Sequence, residues 1–242
     1  MGGGSFARGM TLSETLEPHH HLKLDAKLGA LHIQIDMGLS AAWTVIFGPS
    51  GSGKSSILRI ISGLMPGGEV DGKRQRIAPQ LRGIAYAPQG GVLFPHLNVR
   101  ENVAFAARVR GMGGAPEIEE AMEMFALHGL AKRMPRDLSG GERQRVNLAR
   151  AFAVPAPRLM LLDEPFTGLD RGLRDALLPR MREKTAELGV PVISVTHDVE
   201  EALMLGAEVV RLVEGKVVAQ GAALEVLAAE RERMLSVLQG AS

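Results

Sequence analysis

Hydrophobic and polar positions change rhythm several times along the chain. Over residues 22–35 apolar side chains partly alternate with polar ones, as in His32-Ile33-Gln34-Ile35, the two-residue period of strands buried on one face. This predicts a half-exposed antiparallel layer at the edge of a sheet. Ala42-Trp43-Thr44-Val45-Ile46-Phe47 is instead a continuous apolar and β-branched run, as in strands covered on both faces. Residues 158–162 and 190–196 have the same character. A glycine-rich turn after Phe47 leads into a helical stretch that stops near Gly63, a residue suited to a helix C-terminus. Buried strands joined by helices predict a parallel sheet and an α/β core.

Between residues 89 and 157 the rhythm turns helical. Asn98 stands three residues before Glu101, a reciprocal cap, and Pro116 suits a first helical turn. Gly129 and Pro135 punctuate the stretch, and residues 140–153 predict a further helix stopped by Pro155 and Pro157. We therefore expect an α-helical subdomain at 89–156, inserted into a catalytic core of 22–88 and 157–221. Leucines and valines at helical spacing over 222–238, with no turn residues, predict a C-terminal helix within 222–242. Residues 1–21 open on Gly2-Gly3-Gly4-Ser5 and are expected to form a flexible tail. His19, His20 and His21 belong to that tail in this reading, because adjacent positions splay their side chains and cannot converge on a metal. No internal repeat is visible.

The 242 residues fit one domain with two lobes. Apolar residues make up 45% and charged residues 23%, enough to build a sizeable core. With 28 basic and 27 acidic side chains the net charge is +1, so no summed field would hold the chain on nucleic acid. There is no cysteine, hence no disulfide framework or Cys-based zinc site. No apolar stretch reaches the roughly 18 residues of a spanning helix, so a membrane would have to be reached through a partner.

Three stretches carry chemistry. Gly48-Pro49-Ser50-Gly51-Ser52-Gly53-Lys54-Ser55, followed by Ser56, meets the P-loop pattern between a buried strand and a helix. Its glycines let successive N–H groups face a phosphate, the helix start adds positive potential, and Lys54 supplies a charge for the outer phosphates. Ser55 is the expected Mg²⁺ ligand. Asp163-Glu164 ends the second buried run, where ligands of open α/β sheets bind. Asp163 would hold the magnesium through water, and Glu164 would polarise an attacking water. In Leu138-Ser139-Gly140-Gly141-Glu142-Arg143-Gln144-Arg145, Ser139 and Glu142 form a capping box on their own. A cap does not need Gly140-Gly141, which cost about 1 kcal/mol each in a helix interior. Close approach to something, such as a second phosphate, is the expected reason.

Together with Gln89 in Ala87-Pro88-Gln89, Gly168-Leu169-Asp170 and Thr196-His197-Asp198, these stretches resemble, in order and spacing, the signature set of ATP-binding cassette (ABC) ATPases. The resemblance spans residues 22–221. It implies a RecA-like P-loop core with an N-terminal antiparallel β layer and a helical subdomain, and ATP with Mg²⁺ as cofactors. It further implies that Gln89 touches Mg²⁺ and the attacking water, that His197 lies near the γ-phosphate, and that Ser139, Gly140 and Gly141 contact the γ-phosphate bound by the opposite subunit of a homodimer. Asp170 would reach across that dimer. An integral membrane transporter subunit, an external solute-binding protein and a peripheral place on the cytoplasmic face of the cell membrane are implied as well.

Family members often carry an aromatic that stacks on adenine 25 to 30 residues before the P-loop lysine. Here Leu24-Asp25-Ala26-Lys27-Leu28-Gly29 stands instead, so weak purine discrimination is expected. Molybdate-type importer ATPases resemble the chain in Leu93-Phe94-Pro95-His96, Val99-Arg100-Glu101-Asn102 and Leu177-Leu178-Pro179, and in the short connection from Gly63 to Gln89. Molybdate or a related oxyanion is the expected cargo, with another small solute, or a soluble non-transport role, as alternatives. An oxyanion-binding regulatory domain, common in that type, is not included up to Ser242, so self-regulation is not expected. Phe94, Leu97 and Val103 either receive a membrane subunit or pack the helical lobe. Trp43, five residues before Gly48, is expected to report nucleotide binding by fluorescence.

Overall fold

The computed structural model describes residues 20–39, 41–66, 69–70, 73–74, 82–109, 111, 116–205, 208–238 and 240; most of the expected N-terminal tail, and much of the connection from Gly63 to Gln89, lie outside them. The alternating N-terminal pattern forms β1 (His20–Leu28) and β2 (Leu31–Leu39), paired antiparallel over their full length. Leu22, Leu24, Ala26, Ile33, Ile35 and Met37 are buried while the residues between them are largely exposed. The first strand starts earlier than expected: His20 and His21 belong to β1, and His21 Nε2 lies 2.8 Å from Asp36 Oδ1 across the ladder.

β3 (Trp43–Phe47) leads through the glycine-rich turn into α1 (Lys54–Ser62), which ends on a left-handed Gly63 (φ 83°). Short β4 (Glu69–Val70) and β5 (Lys73–Arg74) extend the antiparallel layer outward from β1. β6 (Ile84–Ala87) precedes the helical insert: α2 (Val99–Val109), α3 (Pro116–Met124) and α4 (Gly140–Phe152). Asn98 and Glu101 cap α2 reciprocally, each side chain accepting from the other's backbone N–H at 2.9 Å. There follow β7 (Leu159–Asp163), α5 (Arg171–Glu187), β8 (Val192–Thr196) and α6 (Val199–Leu205). β9 (Glu208–Val213) and β10 (Lys216–Ala222) form a hairpin that the apolar pattern did not announce. The single C-terminal helix expected over 222–238 is divided into α7 (Ala223–Val226) and α8 (Ala228–Leu238).

The strands make one sheet in the order β5-β4-β1-β2-β10-β9-β3-β8-β7-β6. From β9 to β6 the neighbours run parallel. Side chains of a strand alternate between faces, and β3 divides accordingly. Trp43, Val45 and Phe47 join the core shared with the helical insert, whereas Ile46 joins the core between α1 and the β1–β2 layer. Met160 and Leu162 of β7 face the first core and Leu161 the second.

Parallel pairing has one consequence for function. Phe47 is in register with Thr196, Asp163 with Val195, and Ala87 with Leu162. The loops that follow β3, β6, β7 and β8 therefore emerge side by side, at strand spacings of about 4.8 Å.

Candidate nucleotide site

The turn after β3 is shaped by its glycines. A Cβ on Gly48 would stand 2.2 Å from the backbone oxygen of Leu212 on β9. Gly51 and Gly53 have φ values of 82° and 98°, a region that costs other residues free energy. Gly53 caps α1 without any side-chain hydrogen bond, which leaves the helix's first N–H groups for another acceptor. Lys54 is buried, and its ammonium donates to the carbonyl oxygens of Gly48 at 2.8 Å and Pro49 at 2.9 Å. Burial pushes its pKa down, against the carboxylates of Glu164 and Asp163, which favour the charged form.

Ser50, Gly51, Gly53, Lys54, Ser55 and Ser56 line an open cleft of about 260 Å³, joined by Leu31, Gln89 and Glu164. Pro49 is exposed, and Ser52 is buried, its hydroxyl without a hydrogen-bond partner among the described residues. Ser55 Oγ donates to Asp163 Oδ1 at 2.9 Å. Asp163 is 1% exposed; burial raises its pKa above the usual carboxylate value, with the Ser55 hydrogen bond opposing. The Tyr86 hydroxyl lies 3.5 Å from Asp163 Oδ2. Burial, and then the nearby Asp163 charge, push that phenol up to about 12.

Glu164 adopts φ 47°, unusual for a residue with a side chain and worth about 1–3 kcal/mol of strain. Its surroundings over-determine it. Its N–H donates to Val195 O at 3.0 Å, while Gln144, buried on α4, donates to Pro165 O at 2.8 Å and Glu164 O at 3.3 Å. The carboxylate is thereby turned toward three partners. Gln89 Nε2 donates to Oε2 at 3.0 Å, Thr167 Oγ1 donates to the same oxygen at 3.1 Å, and His197 Nδ1 lies 3.3 Å from Oε1. Thus Gln89, Glu164 and His197 meet, although 75 and 33 residues separate the first and last from Glu164.

Ser139, Gly140 and Gly141 do not line the cleft. Ser139 caps α4: its hydroxyl accepts from Glu142 N–H at 3.2 Å, and Glu142 accepts from Ser139 N–H at 2.7 Å. Hydrogen bonds from the Ser139 backbone and side chain lower the Glu142 pKa. A Cβ on Gly141 would meet Gly168 O at 2.9 Å, whereas one on Gly140 would have only the Arg143 guanidinium at 3.9 Å. Asp170 is exposed and caps α5, accepting from Leu173 N–H at 2.9 Å.

The sequence reading missed Leu31, Tyr86, Thr167, Gln144 and Asn147. Asn147 donates to Pro88 O at 2.7 Å, so with Gln144 it ties α4 to the loops after β6 and β7. Both lie on one face of α4, three residues apart, and are fully buried; two buried amides at that spacing are the signal that could have found them. Val103, weighed as a docking residue, is fully buried in the helical core, whereas Phe94 and Leu97 are half-buried.

Among known proteins, the ABC transporter family matches residues 33–167. The chain is 42% identical over 207 residues to an Fe(3+) ions import ATP-binding protein of Pseudomonas fluorescens, covering 81% of this chain and 58% of that protein. It is 36% identical over 223 residues to a molybdate/tungstate import ATP-binding protein of Archaeoglobus fulgidus, covering 90% and 92%. Several curated relatives are longer, and the chain spans between about half and three fifths of their length. The dimeric, post-hydrolysis structure of an ATP-binding cassette bound to ADP and Pi superposes with a TM-score of 0.73 at 28% identity, covering 84% of this chain and 98% of that one. The parallel core, the antiparallel layer and the helical insert are those of this fold, and the chain belongs to the ABC transporter family, of which it carries the ATP-binding cassette.

Proposed function

We propose that the chain is the ATP-hydrolysing subunit of a membrane import transporter, and that two copies hold two ATP molecules between them. The observation that carries this reading is the carboxylate of Glu164. It is held at an unfavourable φ beside the P-loop, with Gln89, Thr167 and His197 on its oxygens.

In this reading the triphosphate lies on the loop 48–56, taking backbone N–H groups of α1's first turn. Lys54 exchanges the carbonyls of Gly48 and Pro49 for phosphate oxygens. Glu164 accepts a hydrogen bond from the attacking water and orients it, and Gln89 and His197 fix the carboxylate's direction. Ser139, Gly140 and Gly141 of one copy complete the phosphate site of the other, and Asp170 faces the same junction. Gly140 supports this assignment, since nothing among the described residues calls for a glycine there.

Ser55 and Asp163 fit a magnesium ion: both offer hard oxygen atoms, and a cation beside buried Asp163 would offset the cost of its charge. Among the described residues no three His, Cys, Asp or Glu side chains cluster to hold a metal by themselves, so Gln89, water and phosphate oxygens would supply the remaining ligands. When bound, such an ion supplies charge neutralisation of the phosphates.

No helix among the described residues is long and apolar enough to cross a membrane. We place the chain on the cytoplasmic face of the membrane, against an integral subunit that docks beside Gln89 near Val92, Phe94 and Leu97. An external solute-binding protein delivers the cargo. Molybdate or a related oxyanion is the proposed cargo, supported by the Archaeoglobus fulgidus relative's name and the sequence features it shares with that type. The Pseudomonas fluorescens relative, named for Fe(3+), gives the second reading. Stimulation of ATPase activity in the reconstituted transporter by molybdate-loaded or iron-loaded binding protein decides between them.

Glu164→Gln is the direct test. It should retain ATP binding, accumulate a nucleotide-bound dimer by size exclusion, and lower turnover by about 10²–10⁴-fold. Turnover at the parental rate would remove Glu164 from the reaction.

A further inference from the structure

One layer behind Glu164, between α5 and α6, lies a second set of charges that the chemistry above does not use. Arg174 is 8% exposed and meets three carboxylates. Its Nε is 3.0 Å from Asp175 Oδ1, Nη2 is 3.0 Å from Glu200 Oε2, and Nη1 is 3.7 Å from Asp198 Oδ2. Arg171, one turn earlier, also pairs with Glu200. Burial opposes the charge on Arg174, but Glu200 and Asp175 outweigh it and hold the guanidinium pKa above its ordinary value.

The partners of Arg174 lie on either side of the reacting groups. Asp198 follows His197 and starts α6, accepting from the N–H groups of Glu200 at 2.8 Å and Glu201 at 3.1 Å. Thr196 precedes His197. Its hydroxyl donates to buried Glu201 at 2.6 Å and accepts from Asp198 N–H at 3.0 Å. These bonds hold the backbone on both sides of His197, from which its ring reaches Glu164. At the other end, the backbone N–H of Arg174 donates to Asp170 O at 3.0 Å, so the residue that carries the guanidinium is tied to the first turn that Asp170 caps. A polar recess of about 240 Å³ between the two segments is lined by Thr167, Leu169, Arg171, Arg174, His197 and Asp198.

We propose that Arg174 is a positioning residue that locks the start of α5 at Asp170 to the turn at 197–198, so that the approach of a second copy to Asp170 sets the position of His197 beside Glu164. This rests on the reading of Glu164 and His197 as reacting groups. An exposed ion pair adapts to small shifts and contributes little. A buried planar guanidinium that hydrogen-bonds two acids, with a third at 3.7 Å, is a pre-organised fork and couples a displacement of one partner to the others. Asp170 and His197 are 27 residues apart in the chain, and Arg174 bonds to backbone or side chain at the end of each segment.

Steady-state ATP hydrolysis by the full chain with Mg²⁺ tests the proposal. Arg174→Ala should lower kcat on the order of tenfold, as a misplaced reacting group does, and leave KM for ATP within about twofold, because ground-state binding is untouched. Arg174→Lys, which keeps the charge and loses the fork, should recover part of the rate. Glu200→Gln should lower kcat in the same direction by a smaller factor. Arg174→Ala at the parental kcat, or with its loss confined to KM, overturns the proposal and leaves Arg174 as a tether of α5 on α6. Where Arg174→Ala does not fold, Glu200→Gln decides, and an unchanged kcat there overturns it. Glu164→Gln run alongside separates the two layers: inert Glu164→Gln with fully active Arg174→Ala rejects the positioning role alone, whereas active Glu164→Gln rejects the site beneath it as well.

Discussion

At Gly53, where α1 begins, the backbone is left-handed and no side chain caps the helix; at Ser139, where α4 begins, it is extended and a complete capping box closes it. Both starts are rich in glycine, for different reasons. Gly48 is required by its own chain, because Leu212 O occupies the space a methyl group would take. Gly141 is also crowded from within, by Gly168 O at 2.9 Å, but a Cβ on Gly140 would meet, among the described residues, only the far end of Arg143 at 3.9 Å. The P-loop is therefore a finished cradle in one copy, uncapped and turned into a cleft. The start of α4 is satisfied as a helix end, and we propose that its remaining glycine makes room for a second copy. The difference is what two half-sites facing each other would require.

The comparison can be broken most forcefully at Gly48. Gly48→Ala should destabilise the fold by about 3 kcal/mol, the upper range for overpacking, and lower the melting temperature by roughly 6–12 °C for a chain of this size. Differential scanning calorimetry checks it, with loss of ATP binding as the accompanying effect. An unchanged melt would mean that β9 yields to the loop.

Asp163→Asn sharpens the P-loop side. A carboxylate whose pKa is raised in the folded state destabilises the protein when ionised, and that penalty is relieved as pH falls through the folded pKa. The metal-free protein should therefore gain stability on mild acidification, down to the ordinary Asp range. The Asn variant should melt at a higher temperature than the parent at neutral pH and lose its response to Mg²⁺. A variant that melts lower at neutral pH would show that Asp163 is already compensated within the chain.

Gly140→Ala should do two opposite things. Replacing glycine by alanine in an unhindered helical turn stabilises by about 0.5–1 kcal/mol, yet the added methyl should block the approach of a second copy's nucleotide and depress ATPase activity. Gly141→Ala should lack the stability gain, because Gly168 O is in the way. Full activity in Gly140→Ala would refute the intermolecular reason for that glycine.

The smallest effect is expected at Trp43. It stands at the amino end of β3, about 16 Å of strand from the P-loop, is 5% exposed, and donates its indole N–H to Ser194 Oγ at 2.8 Å. The structure thus distances it from the nucleotide cleft, and ATP should change its fluorescence intensity slightly without shifting the emission maximum. A large shift would mean that β3 moves on binding.

Much of the core was legible because its signals are local. The period of two in β1 and β2, the unbroken apolar runs of β3, β7 and β8, and the glycines before Lys54 depend on residues within a few positions of each other. β9 and β10 were not legible, since their short apolar stretches acquire meaning only by pairing with β3 and with each other. The division of the C-terminal helix at Leu227 escaped for a like reason: leucine spacing across 222–238 is helical throughout, and what breaks it is the packing of Leu227, fully buried in the main core. Among residues of the proposed site, Lys54, Asp163 and Glu164 announced themselves by pattern, whereas Thr167, Gln144 and Asn147 did not, because their bonds run to loops whose proximity is set by the parallel register.

The sequence alone determined an α/β P-loop core and a helical insert, and singled out the short stretches to which we assign phosphate chemistry, since backbone periodicity and glycine-dependent turns are local properties. Only the tertiary structure decided that Gln89, Thr167 and His197 converge on one strained carboxylate, that Gly140 is uncrowded where Gly141 is not, and that Arg174 links the start of α5 to Asp198. Those facts depend on which strands are neighbours and in what register, and neighbour order comes from burying both faces of the whole sheet at once.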